Sequence, residues 1–131
     1  MARIALGIEY DGSGFCGWQT QPSGCSVQDA VERALAEVAG HAVATICAGR
    51  TDAGVHATGQ VVHFDSDVDR PESAWIRGVN AHLPDAVAVQ WMQAVSADFH
   101  ARFGALERRY RYVLLDHPVR PALNRNHVGW I

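Results

Sequence analysis

The sequence predicts an α+β fold in which an antiparallel sheet carries helices on one face. Three features point to this class. Apolar residues alternate with polar ones at the start of the chain, an apolar stripe at helical spacing follows, and short apolar runs separated by turn residues come after it. With 131 residues, 48% of them apolar and 19% charged, the chain can bury the core of one domain.

The first strand is predicted from period-two alternation. It ends at residues 11–14, Asp-Gly-Ser-Gly, a turn cluster that neither a strand nor a helix tolerates. A polar loop then leads to the first helix. The apolar residues that share one face of this strand are Ile4, Leu6, Ile8 and Tyr10.

The first helix is predicted from its caps and its apolar stripe. Ser26 is a suitable N-cap, and Asp29 three residues later resembles the partner in a capping box. Gly40 closes the helix as a left-handed cap. The stripe consists of Val27, Ala30, Val31, Ala34, Leu35 and Val38.

The next elements are predicted from apolar runs and their breakers. Residues 42–48 and 60–64 indicate the second and third strands, and clustered acids at 65–69 end the third. Pro71 suits the first turn of a second helix, and Pro84 stops it. The buried side of that helix would be Trp75, Ile76, Val79 and Leu83. A fourth strand would place on one face Val87, Val89, Trp91 and Val95.

The order of these elements is β-α-β-β-α-β, followed by a fifth strand over residues 108–115. That order is the ferredoxin-like arrangement, an antiparallel sheet with helices packed on one face, here with an additional strand. We expect one domain over residues 1–115 and an irregular tail over residues 116–131.

The loop over residues 49–57 is the strongest candidate for a functional site. It is polar, contains glycines, lies between two predicted strands and holds a single acid, Asp52. Loops presented by a rigid sheet often carry function. The alternative is that Asp52 only makes an Asx-turn with its own backbone.

The amino-acid sequence of this loop, GRTDAGVHA, resembles the catalytic-aspartate motif of the tRNA pseudouridine synthase A family. Three more segments resemble that family in the same order: residues 9–19, the FHARF run over residues 99–103, and the RRYRY run over residues 108–112. Ordered matches of this length are far more specific than a lone glycine motif. The family's chains are about twice as long, with two related halves facing across a cleft, and the resemblance covers the N-terminal half.

The resemblance implies that Asp52 is the nucleophile that converts a uridine to pseudouridine, attacking either C1′ of the ribose or C6 of the base. The reaction needs no metal and no organic cofactor. A nucleophilic carboxylate must be ionised, so a cationic partner is expected; in the family it comes from the half that this chain does not match. For Arg50 the resemblance implies a different role, which is to help extrude the target base and to contact the RNA backbone.

Further site residues follow from the same resemblance. Tyr110 matches the tyrosine that stacks on the flipped base, and Arg102 is a candidate phosphate ligand. The rim expected to contact RNA is Phe15, Trp18, Gln19, Gln21 and His56. Two alternatives stay open: Trp18 could plug the end of the sheet, and His56 could brace the loop. Tyr112, on the same alternating face as Tyr110, is interpreted as a core residue.

Charge is distributed unevenly along the chain. The net charge is −3, with −6 in residues 1–97 and +3 in residues 98–131. The arginines of the second part could form a basic strip that faces phosphates, or a solvated strand face with ordinary ion pairs. They are Arg102, Arg108, Arg109, Arg111, Arg120 and Arg125.

Cysteine and histidine usage indicates neither a disulfide framework nor a metal site. Cys16, Cys25 and Cys47 are odd in number and scattered, and Cys47 is expected to be buried in a strand. The histidines lack metal-ligand spacing. No apolar run approaches the length of a membrane span, and the start has no signal-peptide pattern, so a cytoplasmic location is expected.

The resulting hypothesis is an isomerase that forms pseudouridine in the anticodon stem-loop of tRNA, as a homodimer and without a cofactor. The 131-residue chain by itself is expected to be poorly active. One alternative is a non-catalytic RNA-binding module of the same fold, although the aromatic strand motif it would need is missing. Another is an oligomeric small-ligand module, and the fold alone does not separate these functions.

Overall fold

The computed structural model describes residues 1–130. Its main sheet has four strands in the spatial order β2-β3-β1-β4, and all neighbouring strands are antiparallel. The strands are β1 (Ala2–Tyr10), β2 (Ile46–Cys47), β3 (Ala57–Ser66) and β4 (Val87–Val95). A helical segment follows β1 and another follows β3, so the predicted ferredoxin-like order βαββαβ is confirmed.

The first helix, α1 (Val27–Ala39), has the predicted ends. The side chains and backbone N–H groups of Ser26 and Asp29 satisfy one another in a full capping box. Gly40 ends the helix with a φ of 76°, in the left-handed region that glycine adopts without steric cost.

The second helical segment is a π-helical turn (Ala74–Gly78) that continues into a short helix, α2 (Val79–His82). It ends before Pro84, as expected. No helix among residues 1–130 is long and apolar enough to cross a membrane.

The core lies between the helices and one face of the sheet. The alternating side chains of β1 supply one side of it, and the stripe of α1 supplies the other. Trp75 packs edge-on against Phe64 at 5.2 Å between ring centroids. Each large apolar side chain buried in this way contributes about 1.5–3 kcal/mol to stability.

The predicted second strand over residues 42–48 is shortened to Ile46–Cys47. Just before β2, a carboxylate oxygen of Glu32 on α1 accepts the backbone N–H of Thr45 at 2.6 Å and its hydroxyl at 2.9 Å. In the register of β2 on β3 this N–H faces away from β3, so the contact anchors the segment to α1.

The prediction that Trp91 and Val95 share the inward face of β4 with Val87 and Val89 is wrong. Ile8 pairs with Val89 whereas Gly7 pairs with Trp91, so β4 contains one extra residue at this point. Such a bulge reverses which face the following side chains occupy. Trp91 is therefore 42% exposed on the outer face.

The predicted fifth strand over residues 108–115 is reduced to β5 (Leu114–Leu115), which pairs in parallel with β6 (Gly129–Trp130) in a separate two-stranded sheet. Residues 108–113 show strand-like alternation but have no strand beside them among residues 1–130. Tyr112 is consequently 93% exposed rather than a core residue. The expected irregular tail over 116–131 consists mostly of turns and β6, and Ile131 lies outside the described residues.

The cysteines also differ from expectation. Cys16 and Cys25 form a disulfide across a loop, with their Cα atoms 5.5 Å apart. Cys47 is free and buried, as predicted. No sequence pattern predicts the bridge, because the two cysteines are brought together by backbone hydrogen bonds, including Cys16 N–H to the Cys25 carbonyl at 3.0 Å.

Candidate active site

The loop between β2 and β3 is shaped by a tight turn at its centre. The Val55 N–H donates to the Asp52 carbonyl at 3.1 Å, and Gly54 has a φ of 79°. A positive φ at the third position is the requirement of a type II turn. The backbone, rather than the Asp52 side chain, therefore closes this turn, and Asp52 is exposed there.

The segment that follows β1 packs directly on this loop. Trp18 N–H donates to the Thr51 carbonyl at 3.0 Å, and Gly54 N–H donates to the Phe15 carbonyl at 3.3 Å. Gly17 has a φ of 90°, and a Cβ atom there would lie 2.7 Å from the Thr51 carbonyl oxygen. Two of the four motifs that carry the resemblance thus form one structural unit.

An open groove of about 680 Å³ lies beside this unit. Its walls include the ends of β2 and of the loop, the FHARF segment (Phe99–Phe103) and Tyr110. Three arginines line it, and no Asp or Glu does within residues 1–130. Such a groove attracts anions. The predicted site residues that line it are Trp18, Gln19, Arg50, Arg102 and Tyr110.

Arg108 joins opposite walls of the groove. Its Nε atom donates to the Ala48 carbonyl at 2.6 Å, and a terminal nitrogen donates to the Arg102 carbonyl at 2.7 Å. A planar guanidinium can span two acceptors in this way. The sequence predicts Arg108 only as one arginine of the basic strip, because no sequence signal reports hydrogen bonds to two distant carbonyls.

The FHARF segment is anchored on the outer face of the sheet by His63 of β3. The Nδ1 atom of His63 accepts the Ala101 N–H at 3.0 Å. Burial lowers the pKa of His63, which keeps this nitrogen free to accept. Beside it, His100 stacks on Phe103 at 4.3 Å between ring centroids. Because the Ala101 backbone is held in this way, the next residue, Arg102, has a fixed place at the groove wall.

The remaining predicted residues lie outside the groove walls. Asp52 is on the exposed turn, Phe15 packs partly on the core, and the Gln21 amide donates to the Cys16 carbonyl at 2.7 Å.

Trp18 borders the groove but is only 1% exposed, and its ring packs 6.0 Å from that of Tyr10. Trp18 therefore packs in the core at the end of the sheet, and its contact with RNA stays a prediction.

His56 lies on the other side of the loop. Its Nδ1 atom accepts the Gly12 N–H at 2.9 Å, and its ring stacks on His127 at 4.3 Å. Asp11, His56 and His127 each offer one possible metal-ligand atom within 4.8 Å of the others. The His56 Nδ1 lone pair is already engaged by Gly12, so this atom serves to brace the loop.

Comparison with known proteins agrees with the motifs. The family model described as tRNA pseudouridine synthase matches residues 7–104, about three-quarters of the chain. The chain belongs to the tRNA pseudouridine synthase family. Its matched region contains the loop of Asp52 and the FHARF segment, and stops before Tyr110.

Curated relatives support the same assignment. The chain is 63% identical over 130 residues to the tRNA pseudouridine synthase A of Thiobacillus denitrificans, covering 99% of this chain and 50% of that protein. It is 66% identical over 128 residues to the protein of that name from Dechloromonas aromatica, covering 98% and 49%. The chain therefore spans about half the length of the curated relatives it matches.

Proposed function

We propose that this chain supplies one wall of the active site of a tRNA pseudouridine synthase, with Asp52 as the nucleophile. The observation that carries the proposal is the GRTDAGVHA loop, which is held by the Phe15–Gln19 segment and borders an acid-free groove lined by arginines. The relatives are named for the same reaction on tRNA. No metal or organic cofactor is required by this chemistry.

The reaction is an isomerisation. Attack by the Asp52 carboxylate, on either C1′ or C6, allows the C1′–N1 bond of the target uridine to break. The uracil then rotates, a C5–C1′ bond forms, and the bond between the Asp52 carboxylate and C1′ or C6 breaks, which returns the free carboxylate. The proton on C5 is lost and N1 gains one, so atoms and charge balance. The carboxylate must be ionised when it attacks.

The groove suits the rest of such a substrate. Arg50 and Arg102 face a space where the phosphates on either side of an extruded nucleotide can lie, and an arginine fork matches phosphate geometry. Tyr110 is 65% exposed at the groove wall, so its ring is accessible to a base. Base–aromatic stacking returns about 1–3 kcal/mol per base, which offsets part of the unstacking cost.

The finer parts of the proposal are the target and the assembly. We assign the substrate to uridines in the tRNA anticodon stem-loop, the enzyme to a homodimer, and its location to the cytoplasm. Because the chain spans half the length of its relatives, we also expect the 131-residue chain alone to be poorly active, with the cationic partner of Asp52 supplied from outside residues 1–131.

The non-catalytic RNA-binding alternative is favoured by one specific observation. Asp52 is not among the residues that line the arginine groove. A module that used only the groove would bind RNA without any contribution from this carboxylate.

The test is pseudouridine formation on unmodified tRNA by the complete gene product and by its Asp52→Asn variant. Asp69→Asn, at an exposed acid after β3, is the matched control. We expect Asp52→Asn to abolish product while tRNA affinity stays within about twofold, because the groove arginines provide the electrostatic affinity. Activity in Asp52→Asn equal to that of the control would refute the nucleophile assignment, and tRNA binding without product in the wild type would favour the binding module.

A further inference from the structure

Two buried polar side chains lie under the loop of Asp52. Tyr10 ends β1 and is 3% exposed, and Gln60, opposite Ile8 on β3, is 6% exposed. Both face the core side of the sheet, where apolar side chains would be the simpler choice. A buried amide or hydroxyl is costly unless it is hydrogen-bonded.

Both groups are bonded to the same short stretch of loop. The Gln60 Nε2 atom donates to the Gly49 carbonyl at 2.5 Å, and the Gly49 N–H lies 3.5 Å from Gln60 Oε1. The Tyr10 hydroxyl and the Thr51 hydroxyl are 2.8 Å apart. Burial raises the pKa of Tyr10, so its hydroxyl keeps its proton for this bond.

The two bonded residues flank Arg50. With the Gly49 backbone held by Gln60 and the Thr51 side chain held by Tyr10, the residues on both sides of Arg50 are tied to the sheet. These two core side chains therefore restrict the direction of the Arg50 Cα–Cβ bond. Within residues 1–130 the Arg50 guanidinium makes no hydrogen bond or ion pair, and it lines the groove.

Gly49 also fixes the position of Tyr110. A Cβ atom added at Gly49 would lie 2.9 Å from the Tyr110 hydroxyl oxygen, so the tyrosine rests directly against this part of the backbone. A displacement of Gly49 would move the surface that supports Tyr110 as well as the start of the Arg50 side chain.

From this geometry we propose that Gln60 and Tyr10 are positioning residues for Arg50 and Tyr110. They act through the backbone of Gly49 and the side chain of Thr51, and they do not touch the substrate. This inference rests on the proposed function for its consequence in catalysis, whereas its structural part, the tethering of residues 49–51, can be tested separately.

The catalytic test compares Gln60→Met and Tyr10→Phe with Gln93→Met in the complete gene product. Gln93 is an exposed glutamine on the outer face of β4, so its substitution controls for the change of amide to thioether. We expect Gln60→Met to lower the single-turnover rate of pseudouridine formation about tenfold, with tRNA affinity within about twofold, because misplacement of site groups mainly affects the rate. Tyr10→Phe should change the same rate in the same direction.

A double-mutant cycle with Arg50→Ala separates positioning from general destabilisation. If Gln60 acts through Arg50, Gln60→Met should have a clearly smaller effect in the Arg50→Ala background than in the wild type. An undiminished effect, or a Gln60→Met rate equal to that of Gln93→Met, would overturn the proposal.

Hydrogen exchange of the backbone amides over residues 49–52, followed by mass spectrometry on the complete gene product, provides a readout independent of activity. Exchange should be about tenfold faster in Gln60→Met than in Gln93→Met, because local opening becomes easier when the tether is lost. Unchanged exchange would contradict the tether even if the enzyme were inactive on tRNA. Should Gln60→Met fail to fold, Tyr10→Phe, which removes only one hydroxyl, decides the question by the same measurement.

Discussion

The Nδ1 atom of His63 accepts the backbone N–H of Ala101 at 3.0 Å, which ties the FHARF segment to the centre of β3. Both residues are buried. This single bond links the rigid sheet to the wall of the groove that carries Arg102, so the protonation state of one histidine affects both stability and the site.

Stability should therefore decrease on mild acidification. The folded pKa of His63 is lowered from its ordinary value of 6.5, so below that pH the unfolded chain binds a proton that the folded chain does not. The free energy of unfolding should fall as the pH decreases from about 6.5 towards 5. The steepest slope is the one that corresponds to uptake of one proton on unfolding. Urea unfolding at a series of pH values measures this, and a His63→Gln variant should lack this part of the slope.

Removing the acceptor altogether should destabilise the fold. His63→Leu leaves the Ala101 N–H buried without a partner, at a cost of about 1–3 kcal/mol. His82→Leu, at an exposed histidine of α2, is the control and should change stability by less than about 0.5 kcal/mol. Equal unfolding midpoints for the two variants would show that the His63 bond contributes little.

Gly17→Ala should separate the two loops of the site. The new Cβ atom would meet the Thr51 carbonyl at 2.7 Å, at a residue whose φ is 90°, and the strained backbone alone costs about 1–2 kcal/mol. Gly14→Ala is a suitable comparison, because no atom lies within 4 Å of a Cβ added there and its φ is not positive. Thermal unfolding checks the prediction, which fails if Gly17→Ala is as stable as Gly14→Ala.

Arg108→Lys should weaken tRNA binding even though the charge is kept. An ammonium group cannot span the Ala48 and Arg102 carbonyls as the guanidinium does. We expect a loss of affinity of about fivefold or more, corresponding to about 1 kcal/mol. Arg109→Lys is the matched control, since Arg109 is exposed and, within residues 1–130, its side chain hydrogen-bonds only to Glu107, two positions before it. Filter binding with tRNA at fixed salt measures both, and equal affinities would contradict the bridging role.

The Cys16–Cys25 bridge should stabilise the loop that holds Trp18. Closing a loop of this length contributes about 2–3 kcal/mol in the chain-entropy model, so reduction should lower the free energy of unfolding by that order. Alkylation of the native protein should label no cysteine rapidly before reduction and two after it. Alkylation of Cys47 should be slow both before and after reduction, because its side chain is buried and burial raises the pKa of its thiol. Two rapidly labelled thiols before any reduction would show that the bridge is not formed.

The parts of the fold that the sequence predicted are those governed by local rules. The capping box of Ser26 and Asp29, the left-handed Gly40 and the alternation along β1 each depend on residues within a few positions of one another. Such patterns are readable because the helix and strand periods are fixed. The order of elements then limits the sheet to few topologies.

The parts that were missed depend on contacts between distant segments. Glu32 of α1 binds the backbone N–H and the hydroxyl of Thr45 just before β2, and no periodic pattern in the sequence reports such a contact with a helix side chain. Tyr112 alternates like a strand residue, but burial also requires a neighbouring strand, which residues 1–130 do not provide. In the site, the motifs indicated which loops are functional. The roles of Gln60, Tyr10 and Arg108 are shown only by their hydrogen bonds to distant segments, to backbone carbonyls for Gln60 and Arg108 and to the Thr51 hydroxyl for Tyr10.

The extra residue in β4 divides that strand into two stretches of opposite parity. Before it, the odd-numbered positions Val87 and Val89 face the core; after it, the even-numbered Met92 does, opposite Leu6. Polar substitutions should therefore be tolerated at even-numbered positions in the first half of β4 and at odd-numbered positions in the second half. Deleting Gln90 would restore a single period and leave Trp91 on the outer face, because Val89 opposite Ile8 and Trp91 opposite Gly7 would then be consecutive residues.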